Sequence, residues 1–280
     1  MPARDTRSGH YDRVAGAFDA ASQNYDTLYQ ANPVMAWLRD ENLAVLQATF
    51  PPGARLLEIG CGTGDEAITL ARAGYRIVAT DISPSMIEAA AAKAQAAGAG
   101  GITWRALPAG RLAEMAGDYG RGAFDGAYAS FGALNCEPDL APVAAALARL
   151  LGPGAALVCS VMNRWCAWEI AWGLLHLRPR QALRRIGRDE VAAGLAAPGG
   201  RLSVPTRYYS PRALARAFAP HFAVRRVRAL PVVLPPPYLA HLVARRPGAL
   251  ARLARLDRRL RDRFPFRSLG DHTLMVLARQ

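Results

Sequence analysis

The sequence has 280 residues, and only one of its 35 basic side chains, Lys93, is a lysine; the rest are arginine. A phosphate-binding P-loop needs Gly-Lys-Ser/Thr, and no glycine turn in the chain carries that lysine, so P-loop chemistry is excluded. Cysteine is scarce too. Cys61, Cys136, Cys159 and Cys166 show no metal-ligand spacing, so no metal is expected, and they read as free thiols of a reducing cytoplasm. No apolar run reaches the roughly 18 residues of a membrane span. Met1 to His10 is polar, so no signal peptide is expected. Acidic residues become rare in the second half. Residues 1–150 hold 12 basic and 16 acidic side chains (12 − 16 = −4), whereas residues 151–280 hold 23 and 6 (23 − 6 = +17). That asymmetry favours an anionic partner: a membrane surface, a carrier-bound or phosphorylated substrate, or nucleic acid.

What the chain does have is Leu56-Leu57-Glu58-Ile59-Gly60-Cys61-Gly62-Thr63-Gly64, followed by Ala67, Ile68 and Leu70 at helical spacing. This reads as strand, glycine turn, helix. Glycines let the backbone turn tightly and let a ligand lie against it. A dinucleotide fingerprint wants G-x-G-x-x-G; here the spacing is G-x-G-x-G. Glu58 would repel a pyrophosphate and would suit a ligand with positive charge and amine donors.

The segment Glu58–Gly64 closely resembles the first motif of the class I S-adenosylmethionine (SAM)-dependent methyltransferases, of the small-molecule and quinone-biosynthesis type. Leu151-Gly-Pro-Gly-Ala-Ala-Leu157 resembles the family's lead-in to a later strand, and Asp81-Ile82-Ser83-Pro84-Ser85-Met86 also resembles the family. The resemblance implies an α/β, Rossmann-like, seven-stranded, mostly parallel sheet with helices on both faces and an antiparallel last strand. It covers about residues 11–162, 206–230 and 270–280. An N-terminal helical cap is expected over 1–54 and a SAM-binding domain over 55–280. Two lid-like insertions are expected at about 163–205 and 231–269.

SAM is the implied cofactor and S-adenosylhomocysteine its product. Glu58 would hold the methionine amino end, directly or through water. Gly60, Cys61, Gly62 and Gly64 would pack on the methionine part. Asp81 stands about 20 residues beyond the glycine turn, where such folds place the carboxylate that takes ribose hydroxyls. Ser83 at N-cap and Pro84 at N1 start the next helix, which leaves Asp81 for the ligand. Ile82 would lie along the adenine with Met86 nearby. Ala106 and Leu107 stand where much of the family has an acid that reads the adenine amine, so a backbone group is the expected substitute. Ser130 ends a strand beside the reacting methyl. Tyr11, Phe18 and Tyr25 recur every seven residues on one helical face. They read either as core packing or as a cap over the cofactor, with Tyr25 the cap residue.

For the acceptor, Phe131 and Asn135 follow the fourth strand; they touch substrate or pack the turn. Trp165, Trp168, Trp172 and Leu175 step by 3, 4 and 3 along one helical stripe, with Arg178, Arg180, Arg184, Arg185 and Arg188 behind them. That suits a lid over an apolar pocket or a membrane interface. Tyr238 belongs to the second insertion. Glu169 and His176, two turns apart, are candidates to orient the acceptor or take its proton, against a solvated polar face; His241 and His272 are weaker ones. The expected partner is a small lipophilic acceptor, with peripheral contact to an anionic membrane or carrier. The base-stacking Asn/Asp-Pro-Pro-aromatic motif is absent, which argues against an RNA acceptor despite the charge. A non-catalytic SAM- or lipid-binding protein on this fold is the other reading.

Overall fold

The computed structural model describes residues 6–186, 190–197 and 200–280. Three helices open the fold: α1 (Thr6–Ala21), α2 (Tyr25–Gln30) and α3 (Pro33–Thr49). The Asn32 side chain accepts from the Val34 and Met35 amides, and Pro33 pre-sets the first turn, which is why α3 begins there. Strands and helices then alternate: β1 (Arg55–Ile59), α4 (Asp65–Arg72), β2 (Arg76–Asp81), α5 (Pro84–Ala96), β3 (Ile102–Ala106), α6 (Ala116–Tyr119), β4 (Phe124–Ala129), α7 (Ala141–Leu150) and β5 (Leu151–Met162). The remainder is α8 (Ala167–Leu175), α9 (Pro179–Ala182), β6 (Val191–Ala197), β7 (Gly200–Thr206), α10 (Pro211–Phe218), β8 (Phe222–Leu230), α11 (His241–Ala244), α12 (Pro247–Leu260) and β9 (His272–Arg279).

The main sheet has seven strands in the order β3-β2-β1-β4-β5-β9-β8, and β6 and β7 form a separate hairpin. Strands β1 to β5 are parallel, and β9 runs antiparallel between β5 and β8. Both faces are buried. Leu57, Ile59, Phe124, Leu147 and Phe218 belong to one core; Leu38, Leu46, Leu56, Ile77, Tyr128 and Leu230 belong to the other. Covering both faces leaves the carboxyl ends of β1, β2 and β4 as the open edge where such sheets bind ligands. The sheet is the one the resemblance implies.

The first insertion differs from its expected form. Its helix is short: Trp165 precedes α8, and the chain leaves helical geometry at Leu177, whose φ is +55°. The hairpin β6–β7 was not anticipated, because Ala, Gly and Pro dominate it and are poor strand formers. Arg188 lies outside the described residues. The second insertion is bolted down. Asp257 on α12 is fully buried and accepts the Val232, Val233 and Leu234 amides at 2.9, 2.7 and 3.1 Å. Arg258 and Arg261 pair with Glu41 on α3. Part of the C-terminal positive charge is therefore spent inside the fold rather than offered to a polyanion.

Candidate cofactor and acceptor site

A cavity of about 250 Å³ opens at the carboxyl ends of β1, β2 and β4. Its floor is the glycine turn. Gly60, Gly62 and Gly64 have φ of +69°, +52° and +80°, the left-handed region that glycine reaches without penalty. A Cβ on Gly60 would collide with Ala133, and one on Gly64 would come within 2.7 Å of the Trp104 ring. Gly62 faces open space, with the Tyr25 ring 3.9 Å from where its Cβ would stand. Four of the turn's amides are committed: Gly60 and Cys61 donate to the Thr80 carbonyl, Gly62 to Asp81 and Gly64 to the Cys61 carbonyl. At the three glycines the turn thus offers a ligand its Cα–H surface rather than N–H donors.

Asp81 ends β2 on the cavity wall. Its Oδ2 accepts from Gly62 N at 2.8 Å and its Oδ1 from Ser83 N at 2.9 Å. Each oxygen keeps a second lone pair for a hydroxyl donor. Burial pushes the carboxyl up to about 6, against these two amides that favour its charge. Ser83 caps α5 through Met86 N at 3.0 Å, as its position before Pro84 predicts. Glu58 lies under the turn at 1% exposure, and its Oε2 has no hydrogen-bond partner of normal geometry among the described residues. Burial and the neighbouring Glu66 carboxylate hold Glu58 well above the ordinary range.

The N-terminal helices close the cavity from above, and the acids that alternate with the aromatics tie them down. Asp19 accepts from Ser83 Oγ at 2.5 Å and from Ser85 N at 3.1 Å. Asp26 accepts from Thr63 Oγ1 at 2.5 Å and from Lys93 Nζ at 2.6 Å; Lys93 also pairs with Asp65. Phe18 and Tyr25 are left facing the cavity with Val14. Arg39 of α3 reaches the same wall, 2.5 Å from Asp65 and 4.0 Å from Glu66. The sequence reading missed Arg39; its position before Asp40-Glu41 gave no signal that it turns inward.

The far side is apolar. Phe131, Ala133, Met162, Leu195 and Val204 line it, and the last two come from the β6–β7 hairpin. Phe131 has φ +50°, an uncommon conformation for a bulky residue, and its amide donates to Ser160 Oγ at 3.0 Å. Glu137 is the acid on this side that sequence reading missed. It is buried, lines the cavity and accepts from Tyr11 Oη at 3.0 Å. Burial lifts its carboxyl above the usual value; the Tyr11 hydroxyl and the Gly110 amide oppose the rise.

The cavity wall thus gathers Tyr25, Gly60, Cys61, Gly62, Asp81, Ile82, Leu107, Ser130 and Phe131 of the expected residues. Several others stand elsewhere. Met86 is fully buried beneath α1, in a cluster with Val14 and Ala17, and Gly64 packs on Trp104. Ala106 is not on the wall; its neighbour Leu107 is. Asn135 is fully buried: its amide bonds the Met162 and Arg207 carbonyls and accepts from Met162 N, so it stitches the strand ends together and cannot meet an acceptor. Trp165 is exposed, Trp168 donates to the Val233 carbonyl at 2.8 Å, and Trp172 stacks on His176; none lines the cavity. Glu169 is held by Arg184 and Arg185 and accepts from Tyr238 Oη at 3.2 Å. Its oxygens are taken up by these partners, and neither it, His176 nor Tyr238 borders the cavity. The hairpin, not the tryptophan helix, is the part of the first insertion that walls the cavity. No residue of 231–269 lines it.

Comparison with known proteins agrees with this geometry. A family model described as a methyltransferase domain matches residues 56–154. Among curated relatives, a ubiquinone biosynthesis O-methyltransferase of Paracidovorax citrulli is 32% identical over 144 residues, 49% of this chain and 53% of that protein. A demethylmenaquinone methyltransferase of Beutenbergia cavernae is 32% identical over 170 residues, 57% of this chain and 63% of that one. The chain thus spans between half and two thirds of these two relatives' lengths. Among solved structures, a SAM-dependent methyltransferase from Methanosarcina mazei superposes with a TM-score of 0.57 at 17% identity, over 84% of this chain and 96% of that one. The 1,6-didemethyltoxoflavin-N1-methyltransferase of Burkholderia thailandensis, solved with S-adenosylhomocysteine, gives 0.55 at 18%, over 100% and 92%.

Proposed function

We propose that this chain, which belongs to the class I SAM-dependent methyltransferase superfamily, transfers a methyl group to an O, N or C nucleophile of a small lipophilic acceptor. One observation carries the reading. A single cavity joins a buried carboxylate and a side-chain-free glycine floor to an apolar chamber under a helical cap. The relatives' names point to quinone-type phenols as the first acceptors to try.

The residues present fit the cofactor. Asp81 has free lone pairs for two ribose hydroxyls. Ile82 and Leu107 offer apolar surface to the adenine. Gly62 leaves room that a Cβ would fill. Arg39 lines the cavity and can meet the methionine carboxylate, whereas Glu58 lies beneath the turn and off the wall, so it would act on the ammonium end only indirectly. When bound, SAM supplies a methyl already made electrophilic by its sulfonium. The chain's part is then alignment and the exclusion of water. Phe18, Phe131, Met162 and Leu195 hold the acceptor in a dry chamber. Glu137 takes the proton of a hydroxyl acceptor at its carboxylate, and its raised pKa moves it towards the neutral range such a base needs.

Titration calorimetry with S-adenosylhomocysteine tests the cofactor half. Asp81→Ala should weaken binding by about 1–3 kcal/mol, as for loss of a charged hydrogen bond. The wild-type affinity should also fall below pH 6. Asp81 must be ionised to accept both hydroxyls, and those donors lower its pKa in the complex, so binding releases a proton there. The dissociation constant should be flat above pH 7 and rise about tenfold per unit below pH 6; Asp81→Ala should lose that slope. A slope retained by the variant would put the titrating group elsewhere.

A further inference from the structure

Helix α8 is built inside out. Its sequence is Ala-Trp-Glu-Ile-Ala-Trp-Gly-Leu-Leu, yet its two buried positions are Glu169 and Gly173. Glu169 faces inward because Arg184 and Arg185 meet it there, and Gly173 because the Ala182 backbone lies too close for any side chain. Trp168, Ile170 and Trp172 are half-buried, and the leucines at its C-terminal end are turned outward. Leu174 is 55% exposed, Leu175 76% and Leu177 90%, with Leu183 at 51% in the next turn. Arg178 and Arg180, both exposed, stand within the same stretch and enter no ion pair among the described residues. A water-facing surface has no use for three exposed leucines within four residues at the end of a helix; such a patch marks a surface that meets something apolar.

We propose that this leucine knuckle, Leu174, Leu175 and Leu177 with Arg178 and Arg180 beside them, seats the protein on an anionic lipid bilayer. The leucines enter the acyl boundary while the guanidinium groups stay at the phosphates. Trp165, exposed at the start of the same segment, is a residue type that favours that depth. Charge decides between a bilayer and a second copy of the chain. A two-fold contact through the patch would set Arg178 and Arg180 against their own symmetry mates, in a half of the sequence with 23 basic and 6 acidic residues. An anionic surface gains from both Arg178 and Arg180. No described helix is long and apolar enough to span the membrane, so the contact is peripheral. The inference rests on α8 and its following turn, not on the methyl-transfer reading.

Co-sedimentation tests it, with vesicles of phosphatidylcholine alone and of phosphatidylcholine mixed equally with phosphatidylglycerol. The full chain should pellet with the mixed vesicles and far less with the neutral ones. Leu174→Ser, Leu175→Ser and Leu177→Ser combined should lower the partition coefficient by about tenfold or more. Arg178→Gln with Arg180→Gln should remove most of the preference for the anionic lipid. S-adenosylhomocysteine binding by each variant, measured in solution, should equal the wild type's, which separates a lost surface from a lost fold. The proposal fails if the wild type stays in the supernatant, or if the leucine variant partitions as the wild type does. It fails equally if sedimentation velocity shows a wild-type dimer that the leucine substitutions dissociate.

Discussion

Arg185→Ala is expected to destabilise the fold by about 3–5 kcal/mol, the loss typical when one member of a buried ion pair is removed. Arg185 lies 2.8 Å from Glu169 and 2.7 Å from Asp271, and all three side chains are nearly inaccessible. Its Nη1 also donates to the Asn163 and Asp271 carbonyls at 3.1 and 3.2 Å. One guanidinium thus joins the end of β5, helix α8 and the start of β9. Without it, Glu169 keeps Arg184, whereas among the described residues Asp271 keeps only His272 as an ionic partner, 3.0 Å away. Urea unfolding with an unchanged m-value would report the loss; an unchanged midpoint would show that the network adds nothing net. The acid limb should move as well. Burial would raise Asp271, but Arg185 and His272 outweigh it and hold the carboxyl far below the usual range. A depressed folded pKa gives stability that is present above the unfolded value, about 3.9, and is lost only as pH falls through the folded one. In the alanine variant acid unfolding should therefore begin at higher pH.

Glu137→Gln should lower turnover of a phenolic acceptor by about 10²–10⁴-fold, the usual worth of a positioned base, and leave S-adenosylhomocysteine affinity unchanged. Gln keeps the shape and still accepts from Tyr11; it loses the basic oxygen. A parallel fall in affinity would mean that Glu137 holds the cofactor and that the proton leaves by another route. Turnover equal to wild type would mean that no base is needed, as with an acceptor already ionised in solution.

The cofactor half was legible in sequence because it is local. Gly60 to Gly64, Asp81 and Ser83-Pro84 each act through backbone geometry within a few residues, and the strand alternation fixed their common edge. The acceptor half was not, because it is assembled from afar. Tyr11 meets Glu137 across 126 positions, and Leu195 and Val204 reach the wall on a hairpin whose alanines and glycines carry little strand signal. The tryptophan stripe misled for a definite reason. Helical periodicity says which residues share a face but not what that face meets, and in α8 Glu169 turns to its arginines and Trp168 to the Val233 carbonyl rather than to the cavity. Arg39 and Asn135 show the same gap from both sides. A charged residue on an outer helix turns into the cavity, and a polar one at a strand end is consumed by neighbouring carbonyls.

The lone lysine gives the cap an unusual handle. Lys93 Nζ bridges Asp26 on α2 and Asp65 at the head of α4, so the one side-chain amine of the sequence sits in the clasp that closes the cap. An ammonium gripped by two carboxylates is shielded from acylation and becomes a nucleophile only when the clasp lets go. The speed at which an activated ester modifies Lys93, read by peptide mass mapping that sets the α-amino group apart, is therefore a clock for how often the cap opens, with no probe to engineer.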